Sequence, residues 1–353
     1  MCKRILVSQT NTEDGVPFYK IGTIGSTPDA YISKELFDDY KVKYNYPRKG
    51  EVMITCAGTV GKCVVYDGED AYFQDSNIVW IDNPTQYISN GFLFHLLSKV
   101  DWRKLNSTTI IRIYNDDLRN LKMSYPRKEE QQKISHLLSL LDERIATQNK
   151  IIEDLKKLKS AIIHRCYSSQ TNMIPLSELL KQCSDRNRSG SDLQVLSVSN
   201  KYGFIAQSNQ FEDREVASDD TSNYKVVKKG MFAYNPARIN VGSIALYEMD
   251  GNGIVSPMYV CFTTKSELLP SYLKYYFASQ TFKHEMYKRL EGSVRLCLTF
   301  EELCNIEIHL PSIEQQKNIS KYISKIENNL SLVDSIFSKY QQQRRYLLSQ
   351  MFI

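Results

Sequence analysis

Two stretches of the chain, IYNDDLRNLKMSYPRKEEQQKIS at residues 113–135 and LTFEELCNIEIHLPSIEQQKNIS at residues 298–320, match one another without a gap. Their identical residues are all separated by 185 positions, as Gln131 is from Gln316. Upstream, the matching continues with offsets that drift by a few positions, as loop insertions would produce. An ordered series of matches across most of the chain indicates a tandem duplication of one unit.

A long run without proline or glycine follows the proline of each stretch, and its apolar residues recur in a 4-3 rhythm. The rhythm also passes through Gln148, Lys159 and Arg344. A repeat of 3.5 residues held this long predicts a coiled-coil seam on a helix of roughly 35–40 residues. The seam positions are Ile134, Leu138, Leu141, Ile145, Ile152, Leu155 and Ile162 in the first copy, and Ile319, Ile323, Ile326, Leu330, Val333, Phe337, Tyr340 and Leu347 in the second.

Two seams in the same register most simply pair with each other, with the two helices antiparallel within one chain. The alternative is that each helix packs on a different subunit. Upstream of each helix, short runs rich in Val, Ile, Tyr and Phe alternate with turn residues, and an amphipathic helix follows them, so each copy reads as a β-rich domain. The predicted fold class is therefore α+β, with two tandem β-rich domains flanked by helices, each followed by a long helix.

Domain boundaries follow from these patterns. The first domain is expected over residues 1–125, the first long helix with its linker over 126–172, the second domain over 173–310 and the second long helix over 311–353. A small helix is expected to open the second domain at residues 174–180. The first copy has no counterpart, because its strand pattern already begins at Phe18, so the first domain is predicted to be short at its N-terminus.

Composition excludes several classes of protein. With 42% hydrophobic and 24% charged residues the chain is ordinary for a globular protein, which argues against disorder. No apolar run approaches a membrane span and no signal peptide is recognisable, so a cytoplasmic protein with no membrane association is expected. The eight cysteines show no metal-binding spacing and are expected to be free thiols. The net charge of +5 is compatible with nucleic acid without establishing it.

No constellation of catalytic residues stands out. The segment AGTVGKC at residues 57–63 lacks the spacing of a phosphate-binding loop and has Cys63 in place of Ser or Thr. The tetrapeptide at residues 235–238 lacks the second proline and the aromatic residue of an amino-methyltransferase motif. The five histidines form no cluster, so neither a metal nor a cofactor is expected.

The order of features resembles the specificity (S) subunit of type I restriction-modification systems. The resemblance is carried by Pro126 followed by Glu130-Gln131-Gln132, and by Pro311 followed by Glu314-Gln315-Gln316, each before a long helix. It covers nearly the whole chain. It implies two target-recognition domains on paired spacer helices, and a double-stranded DNA target made of two half-sites around a gap.

The resemblance also implies the partners of the chain. It would bind two methyltransferase (M) subunits and, through them, restriction and translocase (R) subunits. It would have no catalytic residues of its own, so methylation and ATP-dependent cleavage would reside in these partners.

Candidate DNA-binding residues are those that can aim hydrogen-bond donors at base edges or phosphates from loops. In the first copy they are Thr59, Lys62, Asn77 and Arg112. In the second copy they are Lys201, Tyr202, Asn235, Arg238, Asn240 and Arg295, with Arg186 and Arg188 as phosphate contacts. Two alternatives stay open here: a coiled-coil scaffold without DNA binding, such as an inactive specificity cassette, and a methyltransferase or nuclease with an unrecognised site.

Overall fold

The chain divides into two compact units, each described by itself. The computed structural model describes residues 1–74, 77–102, 104, 112–169, 171–188, 190–207, 220–292 and 296–352. The first unit consists of Met1–Asn149 and Ser335–Ile353, and the second unit of Lys150–Asp334. Both boundaries fall within long helices, so each unit contains part of both helices.

The first unit contains two three-stranded sheets, ordered β2–β1–β5 and β4–β3–β6. Strand β1 pairs antiparallel with β2 and parallel with β5, whereas β3 pairs antiparallel with both neighbours. The elements are β1 (Val16–Tyr19), β2 (Tyr31–Ile32), α1 (Lys34–Lys43), β3 (Val52–Thr55), β4 (Cys63–Val65), β5 (Tyr72–Phe73), β6 (Ile78–Trp80), α2 (Asn90–Lys99), α3 (Asn115–Arg119) and the start of α4 (Lys128–Tyr167).

Strand β3 lies between two apolar layers, and its sequence explains why. All four of its side chains, VMIT, are buried. Successive side chains of a strand point to opposite faces. Val52 and Ile54 accordingly belong to one cluster with Leu97, while Met53 belongs to another with Phe37.

The second unit contains two four-stranded sheets, ordered β10–β9–β14–β11 and β13–β12–β15–β8, and a pair, β16–β7. Its elements are β7 (Met173–Pro175), α5 (Leu176–Leu179), β8 (Leu180–Cys183), β9 (Gln194–Ser199), β10 (Gly203–Ala206), β11 (Lys225–Val227), β12 (Phe232–Tyr234), β13 (Ile244–Leu246), β14 (Gly253–Val255), β15 (Val260–Thr264), α6 (Pro270–Phe277), α7 (Gln280–Lys288), α8 (Phe300–Cys304), β16 (Glu307–His309) and the start of α9 (Ile313–Met351).

The duplication is visible in the sheets. The order β4–β3–β6 in the first unit recurs as β13–β12–β15 in the second, with antiparallel pairing throughout. The turn before the central strand is also the same. Gly50 and Gly230 have φ of 86° and 89°. Their N–H groups donate to the carbonyls of Tyr66 at 2.7 Å and Tyr247 at 2.9 Å. A positive φ favours glycine, which explains why both copies have glycine at this turn.

The two long helices are continuous over 40 residues in α4 and 39 residues in α9. Every residue named in the predicted seam is buried or partly buried. In the first unit, Leu138 clusters with Leu348 and Phe352. In the second unit, Ile163 clusters with Ile323. None of the helices in the described ranges combines the length and the apolar character needed to cross a membrane.

A buried glutamine attaches the start of α4 to the domain in the first unit. Gln131 is 1% exposed. Its Oε1 accepts from the N–H of Ser89, the residue that caps α2, at 2.7 Å. Its Nε2 donates to the carbonyls of Tyr87 at 3.0 Å and Pro126 at 2.9 Å. One side chain thus satisfies three backbone groups at a helix–helix junction, where unpaired groups would be costly.

The same junction recurs in the second unit. Gln316 is fully buried, and its Oε1 accepts from the N–H of Leu269, the N-cap of α6, at 2.8 Å. Its Nε2 donates to the carbonyls of Glu267 and Pro311, both at 2.9 Å. The Pro…Glu-Gln-Gln pattern therefore has a structural reason, because the proline carbonyl and the glutamine amide are partners.

The two copies differ at their starts. The small helix expected at residues 174–180 is α5, and strands β7 and β8 flank it. Strand β7 pairs with β16, from Glu307 to His309. The matching residues of the first copy, Lys122–Ser124, form no strand. In the first unit a single turn of 3-10 helix, Val7–Gln9, precedes β1.

Candidate nucleic-acid interface

The loop that follows β12 is held in a fixed conformation. The N–H of Asn235 donates to the carbonyl of Ser243 at 3.1 Å, and its side-chain Oδ1 accepts from the N–H of Ala237 at 3.1 Å. Ile239 anchors the loop in the core at 2% exposure. Gly242, with φ of 91°, closes the short 3-10 helix. The loop therefore presents its remaining side chains from a rigid frame.

Two cavities meet at this loop. The first, of about 440 Å³, is lined by Asn235 and Arg238 from the loop, Asn200 from the end of β9, and Gln207. Within the described ranges, the buried Oε1 of Gln207 has no hydrogen-bond partner. The second cavity, of about 600 Å³, shares Asn235, Arg238 and Met258 with the first. Arg238 is exposed, so its guanidinium is available at the border of both cavities.

Lys201 and Tyr202 lie beside Asn200 in the turn between β9 and β10. Both side chains are exposed. The hydroxyl of Ser199 accepts from their N–H groups at 3.2 and 3.4 Å, which fixes the turn. The Nζ of Lys201 lies 4.9 Å from the centroid of the Tyr202 ring. An aromatic ring and a cation therefore stand together next to the first cavity.

Arg186 and Arg188 are exposed on a segment joined to the cavity wall. The N–H of Asn187 donates at 3.0 Å to the carbonyl of Tyr224, which lines the first cavity. The Nη1 of Arg186 donates to Oδ1 of Asn223 at 2.9 Å. The two arginines thus add positive charge near the rim of the cavity.

Two other candidates of the second copy do not join this group. Asn240 is partly buried in the 3-10 helix Ile239–Val241, and its carbonyl accepts from the hydroxyl of Tyr287 at 3.4 Å. It lines neither cavity. Arg295 lies outside the described residues.

The corresponding loop of the first unit follows β3. The carbonyl of Cys56 accepts from the N–H of Ile113 at 2.9 Å, and the carbonyl of Pro236 accepts from the N–H of Leu298 at 3.1 Å. These hydrogen bonds occupy matching positions of the two copies. The two loops therefore share one backbone frame, although their side chains differ.

Thr59 and Lys62 are exposed in the first loop, yet both are engaged within the unit. The hydroxyl of Thr59 donates to the carbonyl of Ile21 at 2.9 Å. The ammonium of Lys62 donates to the carbonyl of Ile24. Their side chains hold the loop against residues 21–24, so they are less available to a ligand than Arg238.

Asn77 and Arg112 lie at the base of the same loop, where both are partly buried. The carbonyl of Asn77 accepts from the N–H of Cys56 at 2.7 Å. Burial raises the pKa of the Cys56 thiol to about 11, and the guanidinium of Arg112 acts in the opposite direction. The structure therefore brings Thr59, Asn77 and Arg112 to one loop.

Sequence reasoning missed Asn200, Gln207 and Met258. Asn200 lies within the SNKYG turn that holds Lys201 and Tyr202, so its neighbours were a usable signal. Gln207 and Met258 had no such signal in the sequence. They come together because β9 pairs in parallel with β14, a strand far along the chain. In the part of the chain that the structure describes, no group of His, Cys, Asp or Glu side chains is placed to hold a metal ion.

Comparison with known proteins places the chain among relatives. The family model of the type I restriction modification DNA specificity domain matches residues 1–157 and 188–336. A putative type I restriction enzyme specificity subunit from Haemophilus influenzae is 50% identical over 155 residues, which are 44% of this chain and 40% of that relative. The type I restriction enzyme MjaVIII specificity subunit of Methanocaldococcus jannaschii is 26% identical over 294 residues, covering 73% of this chain and 68% of that protein.

A solved structure has a similar fold. The crystal structure of the type I restriction-modification S subunit from M. genitalium superposes with a TM-score of 0.63 at 17% identity, covering 100% of this chain and 92% of that one. At this identity the likeness concerns the fold, and the family model carries the assignment. Because that model matches most of the chain, in two parts, the chain belongs to the type I restriction-modification DNA specificity family, the DNA-sequence-recognition subunits of those systems.

Proposed function

We propose that this chain reads a bipartite DNA target, one half-site with the domain over residues 1–125 and the other with the domain over residues 173–310. Residues 126–172 and 311–353 would hold the two readers apart. The observation that carries the proposal is the loop after β12, where the exposed Arg238 lines a cavity together with Asn235 and Asn200. A guanidinium and carboxamides are the groups that pair with guanine and adenine edges.

Basic and aromatic groups around the cavity suit the backbone of DNA. Arg186, Arg188 and Lys201 are exposed and would contact phosphates, which position a protein without reading sequence. Tyr202, 67% exposed, would pack against the sugar-phosphate backbone beside them. Lys201 and Tyr202 are adjacent to Asn200, so backbone and base contacts would come from one turn.

The first domain would read its half-site with the equivalent loop. Asn77 and Arg112 lie at the base of that loop, and Thr59 holds the loop against Ile21. The offset between the copies changes from 180 to 181 within this loop, so Arg238 corresponds to Ala57 or Gly58, and the two loops carry different side chains. Different side chains on one frame are what recognition of two unlike half-sites requires.

The spacer is proposed to be an antiparallel coiled coil of α4 and α9. The burial of the seam residues and the clusters of Leu138 with Leu348 and of Ile163 with Ile323 support this pairing. A helix of 40 residues is about 60 Å long. Half-sites on one face of DNA recur at about 34–36 Å or multiples, so a rigid spacer of this scale is suited to hold two readers.

Catalysis is proposed to reside in partners. The chain would bind two methyltransferase subunits and, through them, restriction and translocase subunits, in the cytoplasm where the DNA lies. In this arrangement the chain itself needs neither metal nor cofactor, because it contributes only recognition and position.

Co-expression with the methyltransferase partner, followed by mapping of methylated adenines across a genome, tests this function. We expect one gapped, two-part motif. Methylation by this chain without the partner, or a motif without a gap, would contradict the proposal. The partner expressed without this chain is the control.

Substitution of Arg238 tests the reading loop. Arg238→Ala is expected to cost about 1–3 kcal/mol of binding to the specific duplex and to relax the preference at one position of one half-site. Arg188→Ala is the matched control. Loss of an exposed phosphate contact should weaken binding to all sequences and lower the slope of log binding constant against log salt concentration by about one. Equal effects of the two substitutions on every sequence would contradict the role of Arg238.

A further inference from the structure

A polar triad joins the two long helices to the domain in the first unit. The carboxylate of Asp142, on α4, accepts from Nε of Arg344, on α9, and also from its Nη2 at 3.3 Å. The Nδ1 of His95, on α2, lies 3.9 Å from the same carboxylate. The side chains of Arg344 and Asp142 are only 25% and 32% exposed, and that of His95 is 1% exposed.

The second unit contains a triad of the same design. The carboxylate of Glu327, on α9, accepts from Nζ of Lys159, on α4, at 2.5 Å. It also accepts from the hydroxyl of Tyr275, on α6, at 2.9 Å. The side chains of Lys159 and Glu327 are 28% and 32% exposed. In both units an acid on one helix pairs with a cation from the other helix. A ring from the domain lies beside each pair: Tyr275 is hydrogen-bonded to its acid, whereas His95, at 3.9 Å, is beyond hydrogen-bond distance.

The internal repeat relates the two triads. Asp142 and Glu327 are separated by 185 positions, as are Lys159 and Arg344. The two rings stand on equivalent helices, α2 and α6, at an offset of 180. The two triads therefore share one arrangement of charges, with Asp142 and Glu327 as the acids and Arg344 and Lys159 as the cations.

The two cations occupy the positions where the apolar 4-3 rhythm is interrupted by a charge, which gives the triads a consequence for pairing. A seam of Leu and Ile alone tolerates a slip of one helix against the other by whole heptads, whereas a polar group in the seam selects one register. After such a slip, each half-buried cation would face an apolar residue and each acid would lose its partner, which is costly.

We propose that the triads Asp142–Arg344–His95 and Glu327–Lys159–Tyr275 fix the register of the spacer helices and thereby the number of base pairs between the two half-sites. This inference rests on the proposed function. One heptad is about 10 Å of helix. At about 3.4 Å per base pair, a slip of that size corresponds to roughly three base pairs. The triads would thus be specificity determinants that contact no DNA.

Charge exchange in the purified chain, without DNA, tests the register directly. We compare Lys159→Glu, Glu327→Lys and the double exchange by urea unfolding, with Lys157→Glu as the matched control, since Lys157 is exposed on the same helix. Each single change is expected to lower the folding equilibrium constant by on the order of tenfold or more relative to the control. The double exchange should recover most of that loss, because the Tyr275 hydroxyl can donate to a carboxylate or accept from an ammonium.

The same variants are then co-expressed with the methyltransferase partner, and the methylated motif is mapped. Single exchanges should abolish methylation or change the gap by about three base pairs, and the double exchange should restore the original gap. Where a reversal prevents folding, Lys159→Met keeps the length of the side chain and tests the same gap.

Single exchanges that behave like Lys157→Glu in both measurements would overturn the inference, as would a double exchange no better than the worse single one. A wild-type complex without a gapped motif would instead overturn the proposed function. In that case the unfolding comparison, which needs no DNA, still tests whether the triads fix the register of the helices.

Discussion

Single residues determine how each long helix joins its domain. Gln131 satisfies the N–H of Ser89 and the carbonyls of Tyr87 and Pro126. Gln131→Ala would leave these three groups without their partner at a partly buried junction, and we expect it to reduce the free energy of unfolding by about 1–3 kcal/mol. Urea unfolding of the purified chain measures the change.

Gln132 provides the control for this prediction. Gln132 is the exposed neighbour on the same turn, so Gln132→Ala should change stability by no more than about 0.5 kcal/mol. Equal losses from the two substitutions would show that Gln131 is not the attachment that its hydrogen bonds indicate.

His95 makes the stability of the first unit depend on pH. Burial lowers the pKa of His95 from its ordinary value of 6.5, the Asp142 carboxylate raises it, and the Arg344 guanidinium lowers it. The unfolded chain therefore binds the proton more readily than the folded one. The stability contributed by keeping His95 neutral is fully present above about pH 6.5. It falls as the pH drops toward the folded-state pKa of His95, by at most about 1.4 kcal/mol per pH unit.

The variant His95→Gln should lose this part of the pH dependence, because its side chain does not titrate. Urea unfolding between about pH 5 and pH 7.5 measures the difference in slope from the wild type. Gln132→Ala, on the exposed side of α4, is the control and should keep the wild-type slope, because neither side chain titrates. A slope unchanged in His95→Gln would assign the pH dependence to other groups.

At the scale of elements, the turns after strands β3 and β12 have the same backbone conformation at a glycine but differ in their tolerance of a side chain there. Gly61 and Gly242 have φ of 85° and 91°. A Cβ on Gly61 would lie 2.2 Å from Cδ1 of Trp102, which is buried, whereas a Cβ on Gly242 would meet Asn200 only at 3.4 Å. The same substitution should therefore have different costs in the two copies.

Gly61→Ala is expected to cost about 3 kcal/mol, from the left-handed backbone and the clash with Trp102. Gly242→Ala has the backbone cost alone, about 1–2 kcal/mol. Urea unfolding of the two variants side by side measures the difference. Equal costs would mean that the Trp102 ring moves aside without loss.

The sequence pattern predicted the strands of the duplicated hairpin and the two long helices, because each has a local signal. Strand β3 is a run of β-branched and apolar residues that ends in a glycine loop. The strand pairs β9–β14 and β7–β16 had no such signal. They join segments far apart in the chain, so only the packed structure brings them together.

At the scale of the whole molecule, the last segment of the chain completes the first unit. Ser335–Ile353 belongs to that unit. Leu348 and Phe352 are buried with Leu138 and Phe92, and the rings of Phe92 and Phe352 lie 4.8 Å apart. Leu348→Ala and Phe352→Ala are each expected to cost about 2–5 kcal/mol of the stability of the first unit.

Tryptophan fluorescence measures this effect selectively, because the chain has two tryptophans, Trp80 and Trp102, and both lie in the first unit. Tyr346→Ala, at a side chain 64% exposed, is the control and should leave the fluorescence transition in place. If the fluorescence transition of Phe352→Ala is the same as that of the wild type, the C-terminal segment does not contribute to the stability of the first unit.

The sequence by itself determined the duplication, the helices with their seams, and the family, because repeats and periodic patterns are local in the chain and survive without knowledge of contacts. It also singled out Asn235 and Arg238, since they follow a recognisable strand. The tertiary structure decided that Asn200 and Gln207 share a cavity with them and that Lys62 holds its own loop. It also decided that the charges at Lys159 and Arg344 have acidic partners. These outcomes depend on which distant segments pack together, and no local pattern encodes that.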